Sequence, residues 1–305
     1  MNGVPDEVRA LVGRRERARS AEDFASADAL RERIRRAGFD VTDTPKGPVL
    51  TPQGGDDVAS PTWPVYASSA QVESCLGDPP RFDASVQWVV EGWPEDVLRG
   101  IKSFAMSASQ RSLHHVVVDL TQAKVDWPRG AEVLHLAPDV GWAAARNAGL
   151  RRSAGRVVIL ADGSVEPTGD VVEPLQAALE DPTVGIAGPF GLVTDDLHEF
   201  QSSEGPEVDA IEGYVMALRR ELVEGGLRFD ERFKFYRNAD IELSFQIKAM
   251  GLRAIVTPTE VIRHEHRMWT NTSEADRQRL SKRNFYRFLD KWRGRTDLLV
   301  GRRNR

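Results

Sequence analysis

The chain has 305 residues, 41% of them hydrophobic, a net charge of −5 and one cysteine, Cys75. That length can bury a full core in one large or two smaller domains, and the mild acidity gives no global reason to expect nucleic-acid binding. A lone cysteine excludes an intrachain disulfide and a cysteine-rich zinc site, and with no apolar leader and no run of about 18 apolar residues the expected location is cytoplasmic.

Residues 1–50 are predicted as one unit. A first helix runs from Pro5 to about Arg19. Ser20 caps a second, with Asp23 at the capping-box position. Phe24, Ala27, Leu30, Ile34 and Ala37 share one face at helical spacing, and Gly38 ends the helix. Phe39–Val41 and Val49–Leu50 flank a tight turn at Pro45-Lys46-Gly47. The segment DFASADALRERIRRAGFDVTDTPKGP resembles the extreme C-terminal segment of cysteinyl-tRNA synthetases, without that enzyme's catalytic or zinc-binding signatures. The resemblance implies a borrowed module. It reads either as an RNA- or protein-docking unit or as a helical pair with a small hairpin packed on its neighbour. The second is preferred, because a shared fold does not carry function. Residues 51–82 hold five prolines and little periodic pattern, the composition of a linker. Trp63, Val65, Tyr66 and Leu76 give it apolar contacts for lying against the next domain.

The main domain is placed at 83–270. Val86–Val90 reads as a strand, Pro94–Ser107 as a helix, and His115–Val118 as a second strand ending at Asp119. Val133–Leu136 is a third strand. Ala143–Leu150 is a helix punctuated by Gly155, and Val157–Ala161 is a fourth, wholly apolar strand that stops on Asp162. The β-α-β alternation predicts a parallel sheet with helices on both faces. Ligands of such sheets bind at the carboxyl ends of the strands, where a carboxylate can hold a divalent cation.

Two blocks carry a stronger signal. GWAAARNAGLRRSAGRVVILADGSVEP contains Arg146-Asn147, Gly149, Asp162, Val165 and Pro167. A second block has Gly213, Met216, Arg219, Gly225-Gly226, Phe229-Asp230-Glu231, Tyr236, Asp240, Glu242, Leu243, Gly251, Pro258 and His264. In order and spacing these resemble the family 2 glycosyltransferases, which are inverting enzymes. The resemblance implies an α/β GT-A (nucleotide-diphospho-sugar transferase) fold, with a mixed, mostly parallel sheet. It implies transfer of a sugar from a nucleotide-diphosphate donor to an acceptor hydroxyl.

The site residues implied by the resemblance follow. Arg146 and Asn147 shape the donor pocket, Asp119 contacts the nucleoside, and Asp162, Gly163 and Ser164 meet the donor. Asp162 and His264 hold Mn²⁺ or Mg²⁺. Glu212 and Gly213 face the acceptor, and Asp240 is the catalytic base. The implied partners are a nucleotide-diphosphate sugar and a glycan, lipid-linked or small-molecule acceptor; a homodimer is a compatible assembly. Three departures stand out. Ser164 and Ala239 occupy positions that are acidic in the family, and Leu120-Thr121-Gln122 follows Asp119 in place of Asn-Gly-Ser. Local chemistry offers plainer roles too: a polar turn for Asp162-Gly163-Ser164, a solvent-facing strand end for Asp119, an N-cap for Asp240 and a structural histidine at 264. A non-catalytic binding or scaffold protein of the same fold is therefore the alternative.

Residues 271–305 carry eleven Lys and Arg against four Asp and Glu. Ser273 caps a predicted helix with a stripe of Leu280, Asn284, Phe285, Phe288, Leu289 and Trp292. The preferred reading is a helix packed on the domain with a solvated basic side. The other is a cationic helix at an anionic inner membrane face.

Overall fold

The computed structural model describes residues 6–21, 23–44, 47–52, 63–108 and 110–303. The predicted helix start at Pro5, the Pro45–Lys46 turn and the linker positions 53–62 lie outside them. The chain divides into two compact units, 1–62 and 63–305.

In the first unit α1 (Asp6–Ser20) and α2 (Phe24–Arg36) pair, followed by the antiparallel strands β1 (Phe39–Thr44) and β2 (Gly47–Pro52). Val8, Leu11, Leu30, Ile34 and Val41 form its core. The cap of α2 is Asp23, whose Oδ1 accepts the Ser26 N–H at 3.1 Å. Ser20 cannot serve, because α1 continues through it.

The second unit begins with β3 (Val65–Tyr66), β4 (Phe82–Val90), α3 (Pro94–Ser107), β5 (Leu113–Asp119), β6 (Glu132–Leu136), α4 (Trp142–Arg151), β7 (Gly155–Ala161) and β8 (Val165–Pro167). It continues through α5 (Val172–Glu180), β9 (Val184–Gly188), β10 (Gly191–Val193), β11 (Gln201–Ser203), β12 (Glu207–Val208), β13 (Ala210–Ile211), β14 (Val215–Arg219) and α6 (Arg220–Glu224). The last elements named are α7 (Ala239–Ala249), β15 (Arg253–Val256), β16 (Val261–Arg263), α8 (Arg267–Asn271) and α9 (Glu274–Trp292).

Nine strands form one sheet in the order β12-β15-β9-β14-β7-β4-β5-β6-β3. The run β7-β4-β5-β6-β3 is parallel throughout, β14 lies antiparallel between β7 and β9, and β12 is antiparallel at the edge. One face packs α3 and α5 through Val97, Phe104, Val172 and Leu175. The opposite face packs α4, α7 and α9 through Ala143, Ala148, Phe245 and Phe288. Strands covered on both faces have no polar side to show, which is why β7 reads as an unbroken apolar run.

Three local outcomes differ from the sequence pattern. Gly155 does not end the preceding helix, which closes at Arg152; it opens β7. A Cβ there would lie 2.2 Å from the Ser85 nitrogen, so glycine lets β7 approach β4. Residues 63–82 belong to the second unit: β3 adds a parallel edge strand to β6, and Val72 and Cys75 are buried. The stretch from Leu192 to Asp209, without a pattern in sequence, supplies strands to the small sheet β11-β10-β13 and the edge strand β12.

Candidate active site

A cleft opens where β4 and β7 end. Glu91, Trp93, Asp162, Gly163, His266 and Arg267 are among its lining residues. Chain topology explains the gathering. Parallel β4 and β7 lie side by side, so Glu91 and Asp162, each just past a strand's last residue, share one end of the sheet. The short ladder β8–β16 then pairs Glu166 with Ile262 and Val165 with Arg263. It continues as a hydrogen bond from the His264 N–H to the Ser164 carbonyl, 2.7 Å. Carried two residues further, this register sets His266 opposite Asp162.

Asp162 is half-buried and fully bonded. Its Oδ1 accepts the Ser164 N–H at 2.8 Å and the Ser164 hydroxyl at 2.5 Å. Its Oδ2 lies 3.3 Å from His266 Nε2. Burial opposes the charge, but the bonds from His266 and Ser164 outweigh it and hold the carboxyl down at about 2. His266 Nδ1 accepts the Trp269 N–H at 3.2 Å, so in the neutral ring Nε2 carries the hydrogen and donates toward Asp162. Burial disfavours the His266 cation, yet the facing carboxylate more than offsets this and the net shift is upward. Tyr236 stacks on the imidazole at 4.5 Å and 29°.

The register decides between the two histidines. His264 is on the face it shares with Glu166, its diagonal neighbour, and bonds that carboxylate at 2.7 Å. The expected metal pair Asp162–His264 is therefore not assembled; His266 takes the place at Asp162. The donor set also does not fit a cation. One carboxylate has both oxygens occupied, the facing imidazole presents N–H where a ligand needs a lone pair, and among the described residues no group of three His, Cys, Asp or Glu side chains converges as metal ligands.

Three other expected donor residues act behind the cleft. Arg146, 1% exposed, donates to the carbonyls of Gln87 and Ala161, both at 3.0 Å, and so pins β4 to β7. Burial lowers its pKa to about 10 against the pull of Asp162 and Glu91, so it stays cationic at neutral pH beneath them. Asn147 clips the 229–231 turn: Nδ2 donates to the Phe229 carbonyl at 2.9 Å and Oδ1 accepts the Phe229 N–H at 2.8 Å. Asp119 is 0% exposed. Its Oδ1 accepts the Thr121 N–H and hydroxyl at 2.8 and 2.7 Å, and its Oδ2 pairs with His135 Nδ1 at 3.1 Å. His135 in turn lies stacked under Trp63 at 4.4 Å. Asp119 therefore has no free face for a nucleoside, because it is buried and turned toward the Thr121 turn and His135. Gly163 and Ser164 do sit at the cleft.

Asp240, in the first turn of α7, is also half-buried. Oδ2 accepts the Gly213 N–H at 2.8 Å and Oδ1 accepts the Ile241 N–H at 2.9 Å. A Cβ on Gly213 would stand 3.3 Å from Asp240, so glycine permits this approach. Burial raises the Asp240 pKa although these bonds and Arg237 oppose it. Glu212 is raised likewise, by burial first and then by Asp240. Tyr236 links the two acidic centres, since its hydroxyl is pushed up by burial and by both Asp162 and Asp240. Tyr214 joins them on the other side: its carbonyl accepts the Asp162 N–H at 3.0 Å and its ring lies 6.5 Å from His266.

The sequence pattern missed Glu91. Burial and Asp162 push its carboxyl up to about 7, with His266 and Arg146 pulling the other way. Its signal was available, an acidic residue directly after an apolar strand, the same one that singled out Asp162. Tyr214 and Arg263 carried no such signal.

Residues 107–247 match the family model described as glycosyl transferase family 2. The chain carries a family 2 glycosyltransferase domain. Residues 1–47 match the cysteinyl-tRNA ligase anticodon binding domain. There the chain is 52% identical over 44 residues to cysteine–tRNA ligase 1 of Burkholderia lata, covering 14% of this chain and 9% of that protein. It is 49% identical over 47 residues to cysteine–tRNA ligase of Methanosarcina mazei, 15% of this chain and 10% of that protein. The glycosyltransferase domain is similar to the crystal structure of GalNAc-T7 with UDP, GalNAc and Mn²⁺, with a TM-score of 0.53 and 16% identity over 71% of this chain and 49% of that one. The fold of the second unit is thus GT-A, and the first unit is a helical module of synthetase type. The chain spans about half of that structural relative and about a tenth of the two ligases. No helix among the described residues is long and apolar enough to cross a membrane.

Proposed function

We propose that this chain is an inverting glycosyltransferase that moves a sugar from a nucleotide-diphosphate donor to an acceptor hydroxyl, with Asp240 as the base. The observation that carries this reading is the approach of Asp162 and Asp240 at the carboxyl end of the sheet: both act on Tyr236, and Tyr214, whose carbonyl accepts the Asp162 N–H, directly follows the Gly213 that bonds Asp240. Single displacement needs a group to take the acceptor proton as its oxygen attacks the anomeric carbon. Asp240 is held by two backbone N–H bonds, which favour its charged form. Its burial-raised pKa makes it a stronger base than a surface aspartate. The donor diphosphate is assigned to the Asp162–Ser164 side, next to the His266 N–H and the Arg267 guanidinium.

The test is turnover of a nucleotide-sugar panel by wild type and Asp240→Asn, with and without Mn²⁺. Loss of about 100-fold or more in the variant supports the base, and unchanged turnover removes it. The second reading is a binding module without turnover, favoured by the closed surroundings of Asp119. Calorimetry with uridine and guanosine diphosphates separates the two: nucleotide binding without turnover of any sugar selects the second.

The N-terminal module is read as a packed helical unit; a salt-dependent tRNA shift at low ionic strength is the result that would replace this with RNA docking.

A further inference from the structure

Two guanidinium groups near Asp240 and Glu212 make no salt bridge among the described residues. Arg263 lies over the Tyr214 ring at 4.3 Å and over Phe190 at 4.8 Å. Arg237 lies over Trp269 at 5.1 Å, a ring that also carries Arg277 at 4.9 Å. Both side chains are exposed. Among the described residues neither guanidinium makes an ion pair or a hydrogen bond. Arg99 and Arg267 are different. Arg99 pairs with Asp96 at 2.9 Å and Arg267 is held by Glu95 and Asp96.

The two free cations work on one spot. Both act on the Glu212 carboxyl and on the Tyr214 hydroxyl, and Arg237 acts on Asp240 as well. Glu212 precedes the Gly213 whose N–H bonds Asp240. Stacking on aromatic faces fixes each guanidinium plane while leaving its N–H edge open, the geometry that receives a phosphate or carboxylate in two parallel bonds. The backbone is held to the same end. Asn238, next to Arg237, sits at φ 64°, and the buried Asn284 of α9 clamps the Phe235 and Arg237 carbonyls at 2.7 and 2.8 Å.

We propose that Arg237 and Arg263 form an anion-binding subsite beside Asp240, so that the acceptor is a hydroxyl compound bearing a phosphate or carboxylate group. Its identification as the acceptor side rests on the function proposed above; the anion site itself does not. A neutral sugar offers no charge to meet the two guanidinium groups. An anionic group takes two parallel N–H bonds from a guanidinium and carries the neighbouring hydroxyl to the base.

The experiment is equilibrium binding to the full chain, with no turnover required. The probes are glycerol 3-phosphate, glycerol and inorganic phosphate, with phosphatidylglycerol and phosphatidylcholine vesicles in parallel. Wild type is expected to bind glycerol 3-phosphate at least tenfold more tightly than glycerol, and Arg237→Gln and Arg263→Gln each to lose that preference. Uridine and guanosine diphosphate binding should be unchanged in both variants, which also shows that they are folded. Binding confined to phosphatidylglycerol vesicles and lost in the double variant supports the subsite with a lipid-borne anion; binding of the soluble phosphates assigns it to a soluble one. No anion preference in any arm, or variants that weaken the nucleotide diphosphates in its place, overturns the proposal. Donor turnover that persists in either case leaves the glycosyltransferase reading standing on its own.

Discussion

Asn284→Leu tests whether the C-terminal helix is part of the site or only its neighbour. Asn284 is 2% exposed, in the middle of α9. Its Nδ2 is the donor to two carbonyls of the loop that carries Tyr236 and Arg237 into α7, at 2.7 Å to Phe235 and 2.8 Å to Arg237. Leucine has nearly the same size and no donor. Two hydrogen bonds are lost at about 1 kcal/mol each, and the buried Phe235 carbonyl is stranded at about 1–3 kcal/mol. Solvent can reach the Arg237 carbonyl and limits the second penalty. The sum is roughly 3–5 kcal/mol, read as a shift in the urea midpoint at constant m-value. Leu289→Ala is the control. It lies on the same helix, is buried, and costs about 2–5 kcal/mol by cavity formation without removing a hydrogen bond to the loop. At a temperature where all three proteins stay folded, Asn284→Leu should also lose on the order of 100-fold in donor turnover, since an ångström of misplacement is enough for that. Leu289→Ala should not. A midpoint unchanged to within about 0.5 kcal/mol refutes the stability argument, and equal turnover losses in both variants refute the link between α9 and the site.

Other consequences can be checked separately. Because His266 and not His264 meets Asp162, His266→Ala should weaken nucleotide diphosphate binding by about tenfold or more while His264→Ala stays close to wild type; calorimetry decides, and the reverse order would restore His264 to the site. Asp162 is held down at about 2 from 3.8, so its contribution, about 2 kcal/mol, is complete above pH 4 and fades as the pH falls from 4 to 2. The stability gap between wild type and Asp162→Asn in urea titrations should therefore narrow over that window, and a gap independent of pH would contradict the assignment. Asp240 is raised, so turnover should fall with acidification at a pH above the usual aspartate range. A pH profile whose acid limb sits at or below the ordinary aspartate value counts against Asp240 as the base.

Much of the fold was legible because the signals are local. The α3 boundaries Pro94 and Ser107 follow from the spacing of Val97, Ile101 and Phe104 and from proline in the first turn. The Ser273 cap and the helix after it follow from side-chain chemistry within four residues. Asp162 stood out because an acidic residue ends an apolar strand, and topology places such ends together. Glu91 obeys the same rule and was passed over, since it lacks the motif context that surrounds Asp162.

By itself, then, the sequence determined the β-α-β alternation, the helical module at its start and the strand-end carboxylate, all of which depend on periodicity and nearest neighbours. Tertiary structure alone decided which side chains meet. The pairing of β8 with β16 joins segments far apart in the chain, and a shift of one residue would turn each side chain to the opposite face. That register puts His266 on Asp162 and His264 on Glu166. Likewise the depth of the sheet, invisible in any local window, closes Asp119 off from solvent and converts Arg146 and Asn147 into braces for the strands and turn behind the cleft.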